Sequence, residues 1–250
     1  MSKNALSIVC RYSSLDAAWR VLFSKTRQKS RNTEGIDGVS INDFALDSKA
    51  NLRRLATRIS HGDFQFEKLR PVFVPKANGK LRLICVPTVV DRIVQRALLD
   101  FLSIKYDHLL ANSINYGFIR GRTVEAAARR AISLREKHPW IYKTDITSFF
   151  DRISRPELVS RMGHVIRERS LHPLLKAAVS CEVATERKTI ANRIKALGIA
   201  EGMGVRQGMP LSPFFANVVL QLFDAAIYNG GYRAVRYADD LIFFCDSEQE

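Results

Sequence analysis

Apolar residues fall along this chain in two rhythms, and each rhythm predicts an element. Leu15, Ala18, Trp19 and Leu22 recur at helical spacing and predict a helix over 13–29, opened by Ser13 or Ser14. Leu52, Leu55 and Ile59 predict another over 43–60, with Arg53, Arg54 and Arg58 between them and Gly62 as its stop. Pro87-Thr88 caps a longer helix whose buried stripe is Val90, Ile93, Val94, Ala97, Leu98 and Phe101. Further helices are expected over 123–138, after the capping box Ser154-x-x-Glu157, over 173–184 and over 213–228. The last has Ser212 as N-cap and Pro213 in its first turn, carries Phe215, Val219, Leu220 and Phe223, and stops at Asn229-Gly230-Gly231.

Strand patterns are fewer. Residues 70–75 and 80–86 read as a hairpin turning at Ala77-Asn78-Gly79, with Lys80 and Arg82 on one face of its second strand. Residues 140–144 read as a buried strand delivering Asp145, and this strand breaks just after Asp151. The run 235–245 is a second hairpin, two apolar stretches around Tyr237-Ala238-Asp239-Asp240. Its tip breaks a local rule, because tight hairpin turns favour glycine at positive φ and adjacent carboxylates repel. Such a breach marks a candidate functional site, although a solvated acidic turn accounts for those two residues equally well.

Composition narrows the possibilities. The 250 residues are 46% hydrophobic, enough to bury one large domain or two small ones. Lys and Arg number 39 against 25 Asp and Glu, a net charge of +14, which suits a partner rich in phosphates. Cys10, Cys85, Cys181 and Cys245 are scattered, with no Cys-x-x-Cys and no neighbouring His pair, and read as reduced core thiols. No apolar run approaches the roughly 18 residues of a membrane span, and the start of the chain has too short an apolar segment for a secretory signal. A soluble cytoplasmic protein without membrane contact is expected.

The acidic positions then invite a chemistry. Nucleotidyl transfer holds the attacking oxygen and the leaving pyrophosphate in line between two Mg²⁺ ions about 4 Å apart, and Mg²⁺ takes carboxylate, phosphate and water oxygens. Asp145 with the Asp239-Asp240 pair could supply that cluster if their strands are neighbours; otherwise paired acids of a hydrolase serve the residues as well. Phosphates could be met at Lys80 and Arg82, and at the Arg120 and Arg122 turn that precedes the helix at Thr123. Each of these cations also reads as ordinary solvated surface.

Three stretches in order carry a family resemblance: Asp145-Ile146-x-x-Phe149-Phe150-Asp151, Gln207-Gly208-x-Pro210-Leu211-Ser212-Pro213-x-x-Ala216-Asn217, and Tyr237-Ala238-Asp239-Asp240. With the basic hairpin upstream, they resemble the palm motifs of reverse transcriptases, in the bacterial branch that includes group II intron, retron and phage-defence enzymes. The resemblance implies an α+β right-hand polymerase fold with fingers and palm, the palm an antiparallel sheet with packed helices. It puts an N-terminal extension and fingers in 1–138 and the palm in 139–250, with a fingers-side insertion around 155–205. It leaves the thumb outside this chain, to be supplied by a further segment, a partner or an oligomer.

The implied activity is RNA-directed DNA polymerisation with dNTPs, an RNA template or non-coding RNA, a DNA product, and two Mg²⁺ ions for which Mn²⁺ substitutes. Asp145, Asp239 and Asp240 would be the catalytic metal ligands, with the Ile146 carbonyl as a further one. Lys76 and Arg82, helped by Lys80, match finger residues that meet the triphosphate. Phe150 matches the ring that rejects a ribose 2′-hydroxyl, leaving Phe149 for the core, and Gln207 matches the lining of the nucleotide pocket. Gly35 and Gly38 match the extension motif that holds template RNA. Two departures, Ile119-Arg120 for Arg-Pro and Arg206-Gln207-Gly208-Met209 for Pro-Gln-Gly-Gly, lie nearer to retron or phage-defence enzymes than to intron mobility. A non-catalytic RNA-binding scaffold and an RNA-synthesising polymerase of similar palm are the rival readings.

Overall fold

The computed structural model describes residues 4–77 and 79–249, so Asn78 of the expected turn lies outside the described residues. Helices open the chain: α1 (Ala5–Val9), α2 (Tyr12–Lys25), α3 (Ile41–Leu46) and α4 (Ser48–His61). The helix expected over 13–29 ends at Lys25, and a 3-10 turn over Gln28–Asn32 follows it. The one expected over 43–60 is two helices. Ser40 and Asp43 form a reciprocal capping box that starts α3, and Asp47, at φ −139 and ψ 47, breaks the run before α4. Gly62 closes α4 at φ 82, donating to the carbonyls of Arg58 and Ile59.

Strands β1 (Arg70–Pro75) and β2 (Leu81–Val86) form the expected antiparallel hairpin, with Val74 opposite Arg82. Helix α5 (Val89–Leu110) then runs through the main core, where Ile93, Val94, Leu98 and Leu102 are fully buried. Thr88 caps it by accepting from the Asp91 amide. After α6 (Val124–Arg135) comes β3 (Trp140–Asp145). The strand stops at Asp145 and does not reach Asp151, because Ser148 turns the chain at φ 52 into α7 (Phe149–Arg152). Next come α8 (Arg155–Val165), α9 (His172–Val179) and α10 (Lys188–Ala196), which gives the basic stretch around 187–195 a helical form. Helix α11 (Ser212–Asn229) precedes β4 (Arg233–Tyr237) and β5 (Asp240–Cys245). Ser212 is not its cap: it is buried in the first turn and its hydroxyl donates to the Arg206 carbonyl.

The second sheet has order β3-β5-β4, antiparallel throughout. Alternation sorts its faces. Val235, Ile242 and Phe244 pack with Ala127 and Leu134 of α6, while Ala234, Leu241 and Phe243 pack with Ile114 and with Ile227 of α11. Strand β3 is one of the sheet's two outer strands, and Trp140, Ile141 and Tyr142 are exposed, so the expected buried strand is an exposed edge instead. All four cysteines are free; Cys10, Cys85 and Cys181 are buried, and burial pushes their thiols up to about 12. Among the described residues no helix is long and apolar enough to cross a membrane.

One buried acid makes stability depend on pH. Asp91 lies inside the first turn of α5, accepting from the Glu67 amide at 3.2 Å, and burial raises its pKa to about 7 against the hydrogen bonds from Thr88 and Glu67. A carboxyl with a higher pKa folded than unfolded holds its proton more tightly when folded, so its contribution is present at low pH and fades as pH rises towards neutrality. Asp91→Asn should therefore flatten the decline in denaturant midpoint between about pH 4 and about pH 7. A titration series of unfolding curves with the wild-type slope retained would contradict this assignment.

Candidate active site

The three aspartates meet at one end of the three-stranded sheet. Asp145, the last residue of β3, is the register partner of Asp240, the first of β5. Tyr237 also pairs with Asp240, so the two-residue turn is Ala238-Asp239, and the positive φ that such a turn needs falls on Ala238 at 59°. The acids thus occupy the turn's second position and the following strand, a small shift from the expected tip. The Asp239 carbonyl accepts from the Ile146 amide at 3.2 Å, tying the turn to the end of β3.

Like charges directly opposite one another on neighbouring strands repel. Among the described residues no cation pairs with Asp145, Asp239 or Asp240, although Lys and Arg number 39 in the chain. This all-oxygen donor set fits a hard divalent cation. As the side chains stand, no three His, Cys, Asp or Glu groups of the described residues converge to metal-binding distance, so a shared ion requires the carboxylates to turn towards one another.

Phe150 and Gln207 are brought together by the loop over 204–208. The Val205 amide donates to the Phe150 carbonyl and the Gly204 amide to the Ile153 carbonyl, both at 2.8 Å. On its other side the Gln207 carbonyl accepts from the Cys85 amide of β2 at 2.7 Å. Gly208 permits that approach: at φ 108, a Cβ there would sit 2.3 Å from the Cys85 carbonyl oxygen. Phe149 is buried and Phe150 half-buried, the division expected of them.

A polar hub anchors this loop. Glu182 accepts from Arg155 Nη1 at 2.5 Å, Arg206 Nη2 at 3.0 Å and the Gly202 amide at 2.9 Å. Burial alone would raise the Glu182 pKa, but these three donors outweigh it and hold the carboxyl below the ordinary range. Asp151 is shifted the other way, raised by burial against the fields of Arg206 and Lys76. Sequence reasoning missed Glu182 and Arg206. Only the departure at Arg206 hinted at this arrangement.

At the hairpin's end, Lys76 and Arg82 line a surface depression of about 420 Å³ with Val74, Pro75 and Ala77, and the Lys80 carbonyl accepts from the Lys76 amide. Gly35 and Gly38 lie in a tight turn against the start of α5, where a Cβ on Gly35 would come 2.8 Å from Thr88 Cα. The structure does not bring this turn into the aspartate cluster through any hydrogen bond among the described residues. Arg120 is exposed, whereas Arg122 donates to the Asn112 and Asn115 carbonyls and lies over the Tyr116 ring at 5.0 Å. The Arg122 guanidinium is therefore committed to the protein.

Comparison with known proteins now bears on this geometry. Residues 74–250 match the family model described as reverse transcriptase (RNA-dependent DNA polymerase). The chain belongs to the reverse transcriptase family. Protein YkfC of Escherichia coli K12 is 29% identical over 207 residues, covering 80% of this chain and 51% of YkfC. The group II intron-encoded protein LtrA of Lactococcus lactis subsp. cremoris is 23% identical over 211 residues, covering 83% of this chain and 32% of LtrA. The chain thus spans about half the length of the first relative and a third of the second. A chain of the partial Cas6-RT-Cas1–Cas2 complex shares its fold, with a TM-score of 0.58 over 99% of this chain and 39% of that one at 22% identity. The hairpin, the helices and the three-stranded sheet are accordingly those of fingers and palm.

The Glu182 hub yields a stability test. Glu182→Ala leaves two largely buried guanidiniums without their counter-charge, a change that should cost about 3 kcal/mol in urea unfolding. A loss below about 1 kcal/mol would mean that solvent already serves those arginines.

Proposed function

We propose that this reverse transcriptase extends a primer 3′ end with dNTPs on an RNA template, with Asp145, Asp239 and Asp240 holding two Mg²⁺ ions. The observation that carries this reading is the β3–β5 register, which sets two of these carboxylates opposite each other and the third in the adjoining turn. The metal pair, when bound, would activate the primer hydroxyl and neutralise the leaving pyrophosphate. The chain's own groups do the rest. Lys76, Lys80 and Arg82 at the hairpin end offer charge to the triphosphate. Phe150, held beside the Gln207 loop, packs against the sugar, and Gln207 lines the base and sugar pocket. The Ile146 carbonyl accepts from Phe149 at 3.2 Å and keeps a second lone pair for an ion. Arg120 and the 35–38 turn contact nucleic-acid backbone, with Arg122 shaping the turn beneath Arg120.

In this reading 1–138 form the N-terminal extension and fingers, and 139–250 the palm with an insertion around 155–205. A further segment, partner or oligomer grips the duplex, and the protein works in the cytoplasm. The biological setting is phage defence or a retron-like system with a non-coding RNA, which the departures at Ile119-Arg120 and Arg206 favour. Intron mobility is the second reading, favoured by the likeness to a group II intron-encoded protein. A non-catalytic scaffold would have no use for three neighbouring carboxylates without a protein cation.

Primer extension by the full-length protein on an RNA template with Mg²⁺ and dNTPs should proceed, and Asp239→Ala should lower kcat about a thousand-fold. Incorporation that survives the substitution would remove the metal role. In the same assay Phe150→Ala should narrow the preference for dNTP over rNTP by about tenfold or more. An unchanged ratio would leave sugar choice to another residue.

A further inference from the structure

Beneath the aspartate turn lies a fully buried ion pair that the proposed chemistry does not use. Arg236 of β4 is 0% exposed and Asp224 of α11 is 1% exposed. The guanidinium donates from Nε to Asp224 Oδ1 at 2.6 Å and from Nη2 to Oδ2 at 2.5 Å. Its remaining edge points elsewhere, with Nη1 donating to the Ala238 carbonyl at 2.8 Å. Asn217 Oδ1 accepts weakly from Nη1 and Nη2 at 3.3 and 3.4 Å, while Asn217 Nδ2 donates to the Gly117 carbonyl at 2.9 Å. Gly117 in turn backs the tip: a Cβ there would lie 2.2 Å from the Ala238 amide nitrogen. Asn112 completes the pair's surroundings by donating to Asp224 Oδ2 at 2.9 Å.

A buried charge pair is a poor way to gain stability, since an apolar pair of similar volume does as well or better. What it supplies is direction. Ala238 is a non-glycine residue at φ 59, a conformation that persists only when its surroundings impose it. Arg236 imposes it from below through the Ala238 carbonyl, and Gly117 from the side. The planar fork matters because one group pairs both oxygens of the carboxylate and still presents an N–H to the Ala238 carbonyl, a fixed geometry that an ammonium does not reproduce.

We propose that Arg236, clamped by Asp224, is a positioning residue that sets the Ala238-Asp239 turn and thereby the affinity of the aspartate cluster for divalent ions. The proposal rests on the metal-binding reading of Asp145, Asp239 and Asp240. It says that the clamp acts through the carboxylates without touching substrate or metal.

The test uses the full chain with Mn²⁺ alone as the probe, read by calorimetry or by the loss of free-ion paramagnetic signal, alongside thermal unfolding and primer extension against Mg²⁺ concentration. Wild-type Mn²⁺ binding that disappears in Asp239→Ala establishes the metal reading on its own; binding that is absent, or indifferent to Asp239→Ala, ends that reading and this proposal with it. Given that baseline, Arg236→Lys and Asp224→Asn should each weaken Mn²⁺ binding about 10–100-fold. The Mg²⁺ concentration for half-maximal extension should rise in step, with the KM for dNTP little changed. A folded variant of either kind with wild-type Mn²⁺ affinity overturns the clamp. If both variants fail to fold, the pair is a stability element and the proposal is likewise overturned.

Discussion

The β3–β5 register organises this end of the molecule. Antiparallel pairing of β3 with β5 sets Asp145 against Asp240, and the turn adds Asp239 within the same end of the sheet. Sheets normally avoid like charges at directly opposed positions. Here the conflict is tolerated because the strands are held by groups that do not depend on it: Leu241 and Phe244 are buried on opposite faces, and the Ile146 amide ties β3 to the Asp239 carbonyl. The apolar faces stabilise the ladder, while its end remains electrostatically incomplete.

Much of the rest can be understood as bringing other segments up to that end. The loop over 204–208 joins α7 to β2, so the aromatic ring of Phe150, the amide of Gln207 and the basic hairpin are parts of one connected unit. Glu182 holds the same loop from behind by accepting from Arg155, Arg206 and Gly202 together. Two buried polar clusters back the site, one around Arg155 and Arg206 and one around Arg236, while Asp91 and Gln95 are buried along α5 within the main core.

Local pattern exposed the longer helices, both hairpins and the aspartates, because periodicity and broken turn rules are properties of neighbouring residues, but it left the short α1, α7 and α10 unmarked. It failed where partners come from far along the chain. Ile146, Phe149 and Phe150 prolong an apolar run that looks like strand, yet Ser148 at φ 52 turns it into α7. Trp140, Ile141 and Tyr142 look buried by composition but form an outer edge. Arg122 looks like a phosphate ligand until the Asn112 and Asn115 carbonyls are seen to occupy it. Ser212 has the chemistry of a cap, but the Arg206 carbonyl takes its hydroxyl. Glu182 and Arg236 carry no periodic signature at all, since their roles exist only once separate segments have met.

The attachment of the β1–β2 hairpin has a mechanical consequence. Its base is pinned on both sides, by Leu69 exchanging hydrogen bonds with Glu182 and Ala184 and by Cys85 with Gln207, at 2.7 to 2.9 Å. The hairpin is thus anchored at its root on both strands, so a displacement of the β1–β2 ladder is transmitted through the Cys85 amide to Gln207 and the 204–208 loop.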